Sequence, residues 1–182
     1  LVGRSYGMGV AAGDFDNDGR VDLYRTALGP NQLFRNNGDG TFTDVSQRAG
    51  TSDPRWSVSA SFVDFDRDGW LDLYVGNYVD HTVDERIRCY TRTGKRDYCG
   101  PRSYKPVPDR LYRNRRDGTF VDVTAEAQVA REYGPALGVV AAEHVKQLVR
   151  QQLFQAIGPL GRHPRRQHDR RPTTIRSLRF LF

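Results

Sequence analysis

An acidic nine-residue motif occurs twice in this chain and limits its possible folds more than any other feature. It reads D-F-D-N-D-G-R-V-D at 14–22 and D-F-D-R-D-G-W-L-D at 64–72, so the second copy follows the first by 50 positions. Four carboxylates in one compact loop repel one another unless a cation lies among them. Alternating aspartates followed by a glycine at the turn are typical of loops that bind calcium through oxygen atoms. The two copies therefore predict calcium sites.

The spacing within the first copy also predicts which atoms bind the ion. Side chains at alternate positions of a tight loop turn inward together, so three aspartates can supply oxygens to one centre. A backbone carbonyl and the last aspartate can then complete the coordination shell. The predicted ligands of the first loop are Asp14, Asp16, Asp18, the carbonyl of Arg20 and Asp22.

Two other interpretations of the motif have to be considered. Asp-rich turns occur without any metal, because Asp, Asn and Gly favour turns by themselves. An EF-hand or dockerin-like helix-loop-helix is the second alternative, but position 12 of such a loop should be acidic. Here that position is Arg25 in the first copy and Val75 in the second. Leu23-Tyr24 and Leu73-Tyr74 follow the loops, and such residues favour strands. We therefore expect the loops to connect strands.

A second repeated pattern predicts the other strands of each unit. Strands are expected at 3–13 and 21–26, and residues 32–45 alternate polar and apolar side chains around the turn N-N-G-D-G. This hairpin pattern returns at 110–123, which is 78 positions later. Since the acidic loops are only 50 positions apart, the second unit must contain an insertion of 28 residues, within 77–108.

Both cysteines of the chain lie in this insertion. Cys89 and Cys99 have no third Cys or nearby His that could complete a zinc site. The spacing favours a disulfide over two free thiols, and a disulfide implies an oxidising compartment.

The two units resemble FG-GAP/VCBS repeats, the calcium-loop blades of integrin-α-like β-propellers. The resemblance covers residues 7–142, and it rests on G-V-A-A-G-D-F-D-N-D-G and N-N-G-D-G-T-F-T-D-V. The segment R-D-Y-C-G-P at 96–101, which precedes D-R-L-Y-R-N, is similar more narrowly to bacterial ASPIC/UnbV and CRTAC-like secreted proteins. The resemblance implies an all-β fold, a partial β-propeller of about two four-stranded blades.

In such a blade the calcium loop joins the first two strands and has a structural role. Carried over by position, the ligands of the second loop are Asp64, Asp66, Asp68, the carbonyl of Trp70 and Asp72. The repeat region is expected at 1–142, divided into blade one at about 7–48, blade two at about 57–125 and the start of a third blade at 134–142.

The third unit stops in mid-motif, and the charge of the chain changes at the same place. Residues 1–143 hold 19 Lys and Arg against 21 Asp and Glu, and residues 144–182 hold 9 against 1. We expect 143–182 to be a basic tail, either disordered or the product of a reading-frame shift, with a possible amphipathic helix at 144–157. Translating the encoding DNA in the other two frames would test the shift.

The composition argues against two classes of partner. The tail has no aromatic residue between Arg162 and Arg179 that could stack on bases, so we expect no nucleic-acid partner. The chain has no apolar run of 18 residues, so we expect no membrane span. It opens at Leu1 without a leader, so any targeting segment, like the remaining propeller blades, is expected to be missing from this piece.

The predicted function is that of a calcium-binding propeller module with a structural, binding or adhesion role outside the cytoplasm. We expect it to be extracellular, periplasmic or on the cell surface. The alternative is the scaffold part of an extracellular or periplasmic enzyme. We expect no catalytic activity, because the four His are scattered and no nucleophile elbow occurs. The partner is expected to be a protein or a glycan that contacts Trp56, Trp70 or the 77–108 insertion.

Overall fold

Antiparallel strands account for most of the regular structure in a computed structural model of the protein. The structure describes residues 5–82, 87–131 and 134–140, all of which lie in one structural unit, Leu1–Val140. The strands are β1 (Tyr6–Gly13), β2 (Asp22–Leu28), β3 (Gln32–Asn36), β4 (Phe42–Asp44), β5 (Ser57–Val63), β6 (Asp72–Asn77), β7 (Cys89–Tyr90), β8 (Arg96–Asp97), β9 (Arg110–Asn114) and β10 (Phe120–Asp122).

These strands form two four-stranded sheets and one small hairpin. The first sheet has the order β1-β2-β3-β4, the second has the order β5-β6-β9-β10, and β7 pairs with β8. Each large sheet runs up and down with antiparallel neighbours, as a propeller blade does. The predicted all-β fold with about two four-stranded blades is confirmed. The acidic loops connect β1 to β2 and β5 to β6, so strands flank both loops and a helix-loop-helix is excluded.

The two sheets have the same register. One row across the first sheet consists of Ala12, Leu23, Phe34 and Asp44. The matching row of the second sheet consists of Phe62, Leu73, Tyr112 and Asp122. The register also shifts at equivalent places, between Gly7 and Gly9 in β1 and between Ser57 and Ser59 in β5. The insertion leaves this register intact because it lies between β6 and β9, outside the paired segments.

Close packing of β1 against β5 holds the two sheets together. A Cβ atom on Gly9 would lie 2.7 Å from the carbonyl oxygen of Val58, and one on Gly13 would lie 2.8 Å from the ring of Phe62. Real Cβ atoms essentially never come this close, so a larger residue at either position would force the neighbouring atoms to shift. The small residues of this strand therefore allow the two backbones to approach.

The core lies between the two sheets and draws residues from both. Its buried members are Ala11, Phe15, Tyr24, Leu33, Val45, Ala49, Leu73, Val75, Tyr112 and Phe120, with Ala60 and Phe62 packed against them. Fully burying one of the Leu, Val or Phe side chains among them contributes about 1.5–3 kcal/mol. Because neither sheet could bury these side chains alone, the two sheets stabilise each other.

Short helical segments follow the strands, and the sequence patterns did not predict them. In the part of the chain that the structure describes, they are an α-helix, Ser46–Ala49, and two 3₁₀ helices, Pro101–Ser103 and Val129–Arg131. The strand predicted at 21–26 begins one residue later and extends to Leu28. Among the described residues, no helix has the length and hydropathy that a membrane crossing requires.

Two further segments pack against the second sheet. Beyond β6, Val79 forms an isolated bridge with Pro106, which attaches the insertion to the sheet. The described residues 134–140 have no regular secondary structure, but the Val139 N–H donates to the Ser59 hydroxyl at 3.2 Å. The tail at 143–182, including the predicted helix at 144–157, lies outside the described residues.

Candidate metal centres

The first acidic loop brings three predicted ligands together. Carboxylate oxygens of Asp14, Asp16 and Asp18 lie within 4.8 Å of one another. Asp14 also organises the backbone, because its two oxygens accept from the N–H groups of Asp18 at 3.1 Å and Gly19 at 2.8 Å. The chain turns through left-handed backbone at Asn17 (φ 54°) and Gly19 (φ 82°). The sequence D-x-D-N-D-G thus folds its carboxylates around one point.

The second loop repeats this geometry in detail. Asp64 accepts from the N–H groups of Asp68 and Gly69, both at 3.0 Å. Arg67 (φ 63°) and Gly69 (φ 85°) take the two left-handed positions. The clustered oxygens here belong to Asp64, Asp66 and Asp72, within 4.8 Å of one another. The clusters therefore differ in their third member, which is Asp18 in the first loop and Asp72 in the second.

The last aspartate of each motif is fully buried and attaches the loop to its sheet. Asp22 accepts from the backbone N–H groups of Phe15 at 3.1 Å and Asn36 at 2.8 Å. Asp72 accepts in the same way from Phe65 at 3.1 Å and Asn114 at 2.8 Å. Burial raises the pKa of Asp72 to about 6 and also raises the pKa of Asp22. A cation beside either carboxylate would favour its ionised form.

Arginines pair with the remaining carboxylates. Arg35 lies 2.7 Å from Asp16 and 3.3 Å from Asp18, and Arg20 lies 2.5 Å from Asp18. In the second loop, Arg116 lies 2.7 Å from Asp68 and holds the pKa of that carboxyl below its usual value. Since these arginines are half-exposed, solvent screening keeps the stabilisation from each pair small. They partly balance the negative charge of the loops.

The donor atoms fit a hard cation such as calcium. All the clustered side-chain ligands are carboxylates, which calcium prefers and which soft metals do not. In addition, Asp16 Oδ1 is buried and has no hydrogen-bond partner among the described residues. A buried carboxylate oxygen without a partner is costly, and a bound ion would satisfy it. The positions of the Arg20 and Trp70 carbonyls as ligands stay predictions.

The sequence patterns predict no role for Asn36 and Asn114, although these asparagines occupy equivalent positions of the two hairpins, 78 residues apart. Each donates its backbone N–H to the buried aspartate of its own loop. The side-chain amide of Asn36 donates to the Val21 carbonyl at 3.0 Å, and that of Asn114 donates to the Leu71 carbonyl at 3.0 Å. These asparagines therefore connect the third strand of each sheet to the end of the acidic loop.

The insertion forms a separate feature beside the second sheet. A disulfide joins Cys89 to Cys99 across the β7–β8 hairpin. Aromatic rings connect the insertion to the sheet through a chain of contacts 5.1–5.7 Å apart, formed by Trp56, Tyr78, His81 and Tyr104. Tyr98, within the disulfide loop, is 97% exposed. The insertion thus presents an aromatic side chain to solvent from a covalently closed loop.

The sheets and their acidic loops define a repeat protein of the β-propeller type. The model of the FG-GAP-like repeat family matches residues 14–75, from the first acidic loop into β6. This part of the chain is therefore similar to the FG-GAP-like repeat. It is also homologous to cartilage acidic protein 1, which confirms the CRTAC-like resemblance seen in the sequence.

The similarity to these relatives is partial. Human cartilage acidic protein 1 is 34% identical over 107 residues, which are 57% of this chain and 16% of that protein. The mouse protein is 33% identical over 107 residues, covering 57% and 17% of the two chains. The Xenopus tropicalis protein is 38% identical over 74 residues, covering 40% and 11%. The chain thus spans less than a fifth of the length of the curated relatives it matches.

Proposed function

We propose that this chain is a calcium-stabilised propeller module that binds a partner outside the cytoplasm. The observation that carries the proposal is the repeated geometry of the two acidic loops. Each loop gathers three carboxylates around one point, and the first leaves the buried Asp16 Oδ1 without a hydrogen bond among the described residues. Clustered carboxylates that lack a full set of donors favour a divalent cation.

The ion would have a structural role in each blade. Bound by the aspartates, it would neutralise their mutual repulsion and fix the loop between the first two strands. Calcium sites of extracellular modules have dissociation constants of about 10⁻⁴–10⁻³ M, and we expect the same range here. Because the same carboxylates would then be committed to the ion, they are poor candidates for acid-base catalysis, and we propose a non-catalytic module.

The insertion supports a binding role in an oxidising compartment. Its Cys89–Cys99 disulfide is typical of secreted, periplasmic or cell-surface proteins. Long loops on a rigid scaffold commonly carry recognition, and Tyr90 and Tyr98 of this loop are 59% and 97% exposed. Exposed tyrosines are enriched where proteins contact partners. We propose a protein or glycan as the partner of this surface.

Calcium titration of the full chain, followed by thermal denaturation, tests the proposal. We expect calcium to raise the melting temperature, and we expect Asp16→Ala and Asp66→Ala each to remove part of that increase. Asp80→Asn is the matched control, because Asp80 is an exposed carboxylate outside both loops. A melting temperature that does not respond to millimolar calcium would contradict the proposal, and a hydrolase activity in that protein would favour the enzyme alternative.

A further inference from the structure

Asn114 of the second sheet contacts both acidic loops. Its backbone N–H donates to Asp72 Oδ1 at 2.8 Å, within its own blade. Its side-chain amide donates to the Phe15 carbonyl in the first loop at 2.8 Å, and to the Leu71 carbonyl in the second loop at 3.0 Å. Asn114 is 4% exposed, so these bonds are shielded from water. One buried residue therefore joins the two candidate metal centres.

The contact with Phe15 bears directly on the first centre. Phe15 lies between Asp14 and Asp16, and its carbonyl belongs to the peptide group that leads into Asp16. The Phe15 ring is 1% exposed and lies 5.8 Å from the ring of Phe120 in the second sheet. The backbone between two ligands of the first loop is therefore positioned by the second blade.

A second hydrogen bond connects the loops at their turns. The Asn17 side-chain amide donates to the Gly69 carbonyl at 3.2 Å. Asn17 and Gly69 are left-handed turn positions of the first and second loops. Movement of either turn would therefore be transmitted to the other, independently of Asn114.

The equivalent asparagine of the first blade provides an internal comparison. Asn36 donates its backbone N–H to Asp22 at 2.8 Å and its amide to the Val21 carbonyl at 3.0 Å, as Asn114 does in its own blade. Within the described segments, Asn36 makes no hydrogen bond to the second sheet. The contact with Phe15 is thus the additional feature of Asn114.

We propose that the two loops bind divalent cations cooperatively, with Asn114 as the positioning residue that couples them. The inference rests on the proposed calcium function. An ion in the second loop would fix Asp72 and therefore Asn114, which holds the Phe15 carbonyl of the first loop. The first loop then loses less conformational freedom when it binds its own ion. Coupling of this kind is reciprocal, so an ion in the first loop favours binding in the second.

Calcium binding to the full chain, measured by equilibrium dialysis and calorimetry, tests the coupling. Asp66→Asn disables the second loop, and we expect it to weaken calcium binding at the first loop by about fivefold or more. In the Asn114→Ala background the same substitution should weaken the first loop by clearly less than fivefold, because the contact with Phe15 is lost while the exposed Asn17 bond to Gly69 remains. In the Asn36→Ala background the fivefold effect should persist, because the bonds that Asn36 makes to described residues all lie within its own blade.

A second pair of variants covers the case in which Asn114→Ala does not fold. Asn17→Gly removes the amide that contacts Gly69 and keeps a residue suited to positive φ. We expect it to reduce the coupling, whereas Arg67→Gly, at the same position of the second loop, should retain it. Terbium luminescence excited through Trp70 provides a separate readout, since only the second loop has a tryptophan.

The outcomes separate the coupling from the calcium proposal. Two saturable sites whose affinities are independent of each other would overturn the coupling and leave the calcium function standing. Coupling that survives both Asn114→Ala and Asn17→Gly would overturn the role of these residues. A chain without any saturable calcium or terbium binding would overturn both proposals.

Discussion

The ring of Phe15 in the first acidic loop lies 5.8 Å from the ring of Phe120 in the second sheet, and both side chains are buried. The loop that gathers the first set of carboxylates is therefore also part of the core between the blades. Phe65, at the same position of the second loop, is only half-buried. The two loops have equivalent backbone conformations, but the aromatic ring of the first loop is buried and that of the second is partly exposed.

This difference predicts unequal effects of the same substitution. Phe15→Ala should lower the free energy of unfolding by about 3–5 kcal/mol, since it removes a fully buried ring from the core. Phe65→Ala should cost clearly less, because part of the Phe65 ring is already in contact with water. Urea denaturation of both variants, in saturating calcium, would measure the difference. Equal losses would show that Phe15 does not hold the blades together.

The buried Asp72 predicts opposite pH dependences with and without calcium. Burial raises its pKa from 3.8 to about 6, and the charges of Asp66 and Asp68 act in the same direction. The folded chain without metal thus binds this proton more tightly than the unfolded chain, so the contribution of this carboxyl to stability should fall as the pH rises from about 4 to 6. Calcium requires the ionised carboxylate, so its stabilising effect should increase over the same interval.

Thermal denaturation between pH 4 and pH 7, with and without calcium, would test this expectation. Asp72→Asn is the informative variant, because an amide does not titrate. It should reduce the pH dependence without removing it, since burial also raises the pKa of Asp22, Asp53 and Asp109. An unchanged pH profile in Asp72→Asn would show that burial does not raise the pKa of the Asp72 carboxyl.

The pairing of Arg35 with Asp16 and Asp18 predicts competition with the ion. The guanidinium places a positive charge 2.7 Å from a candidate ligand, so a cation must bind against it. Because exposed pairs of this kind are weak, Arg35→Gln should tighten calcium binding at the first loop by no more than about fivefold. Arg48→Gln, which removes an exposed arginine outside both clusters, is the control. Calorimetry that finds weaker binding in Arg35→Gln would contradict this prediction.

The repeated units allowed the fold to be predicted because the acidic loops recur at an offset of 50 positions and the hairpins recur at an offset of 78. Leu23 and Leu73 follow equivalent loops, and Leu33 and Leu111 occupy equivalent hairpins, so both sheets acquire the same register. The acidic loops were visible for the same reason. Their ligands lie within nine residues, where spacing along the chain determines spacing in three dimensions.

The contacts between the blades could not be predicted in this way. The Asn114 amide reaches a carbonyl 99 positions away, and nothing in the local pattern specifies which carbonyl of the neighbouring blade it meets. The Arg35 pair with Asp16 depends similarly on how the hairpin folds back over the loop. The helix Ser46–Ala49 is too short to show an apolar periodicity in the sequence. Contacts with the strands stabilise it, such as the Leu33 N–H that donates to Ser46 Oγ at 2.8 Å.

The Cys89–Cys99 disulfide predicts a local loss of stability when it is removed. The bridge closes a hairpin that contributes no residue to the main core, so it should stabilise the insertion by about 2–3 kcal/mol through restriction of the unfolded chain. Cys89→Ser with Cys99→Ser should therefore open this loop to proteases near Arg92 and Lys95, both exposed, while the sheets stay folded. Limited trypsin digestion with mass spectrometry would locate the cleavage sites. Cleavage within β5 or β6, rather than near Arg92 and Lys95, would show that the disulfide stabilises the blade itself.

The glycines of β1 predict which positions keep the blades in contact. A methyl group on Gly13 would lie 2.8 Å from the Phe62 ring and 3.0 Å from a Leu71 methyl, so Gly13→Ala should push the sheets apart and cost about 1–3 kcal/mol. Gly7→Ala is the matched control in the same strand, because its nearest neighbour would be the flexible Arg25 side chain at 3.6 Å. Since neither glycine has positive φ, backbone strain does not contribute to the difference. Urea denaturation of the two variants should show a loss in Gly13→Ala alone, and equal stabilities would mean that β1 and β5 can separate without cost.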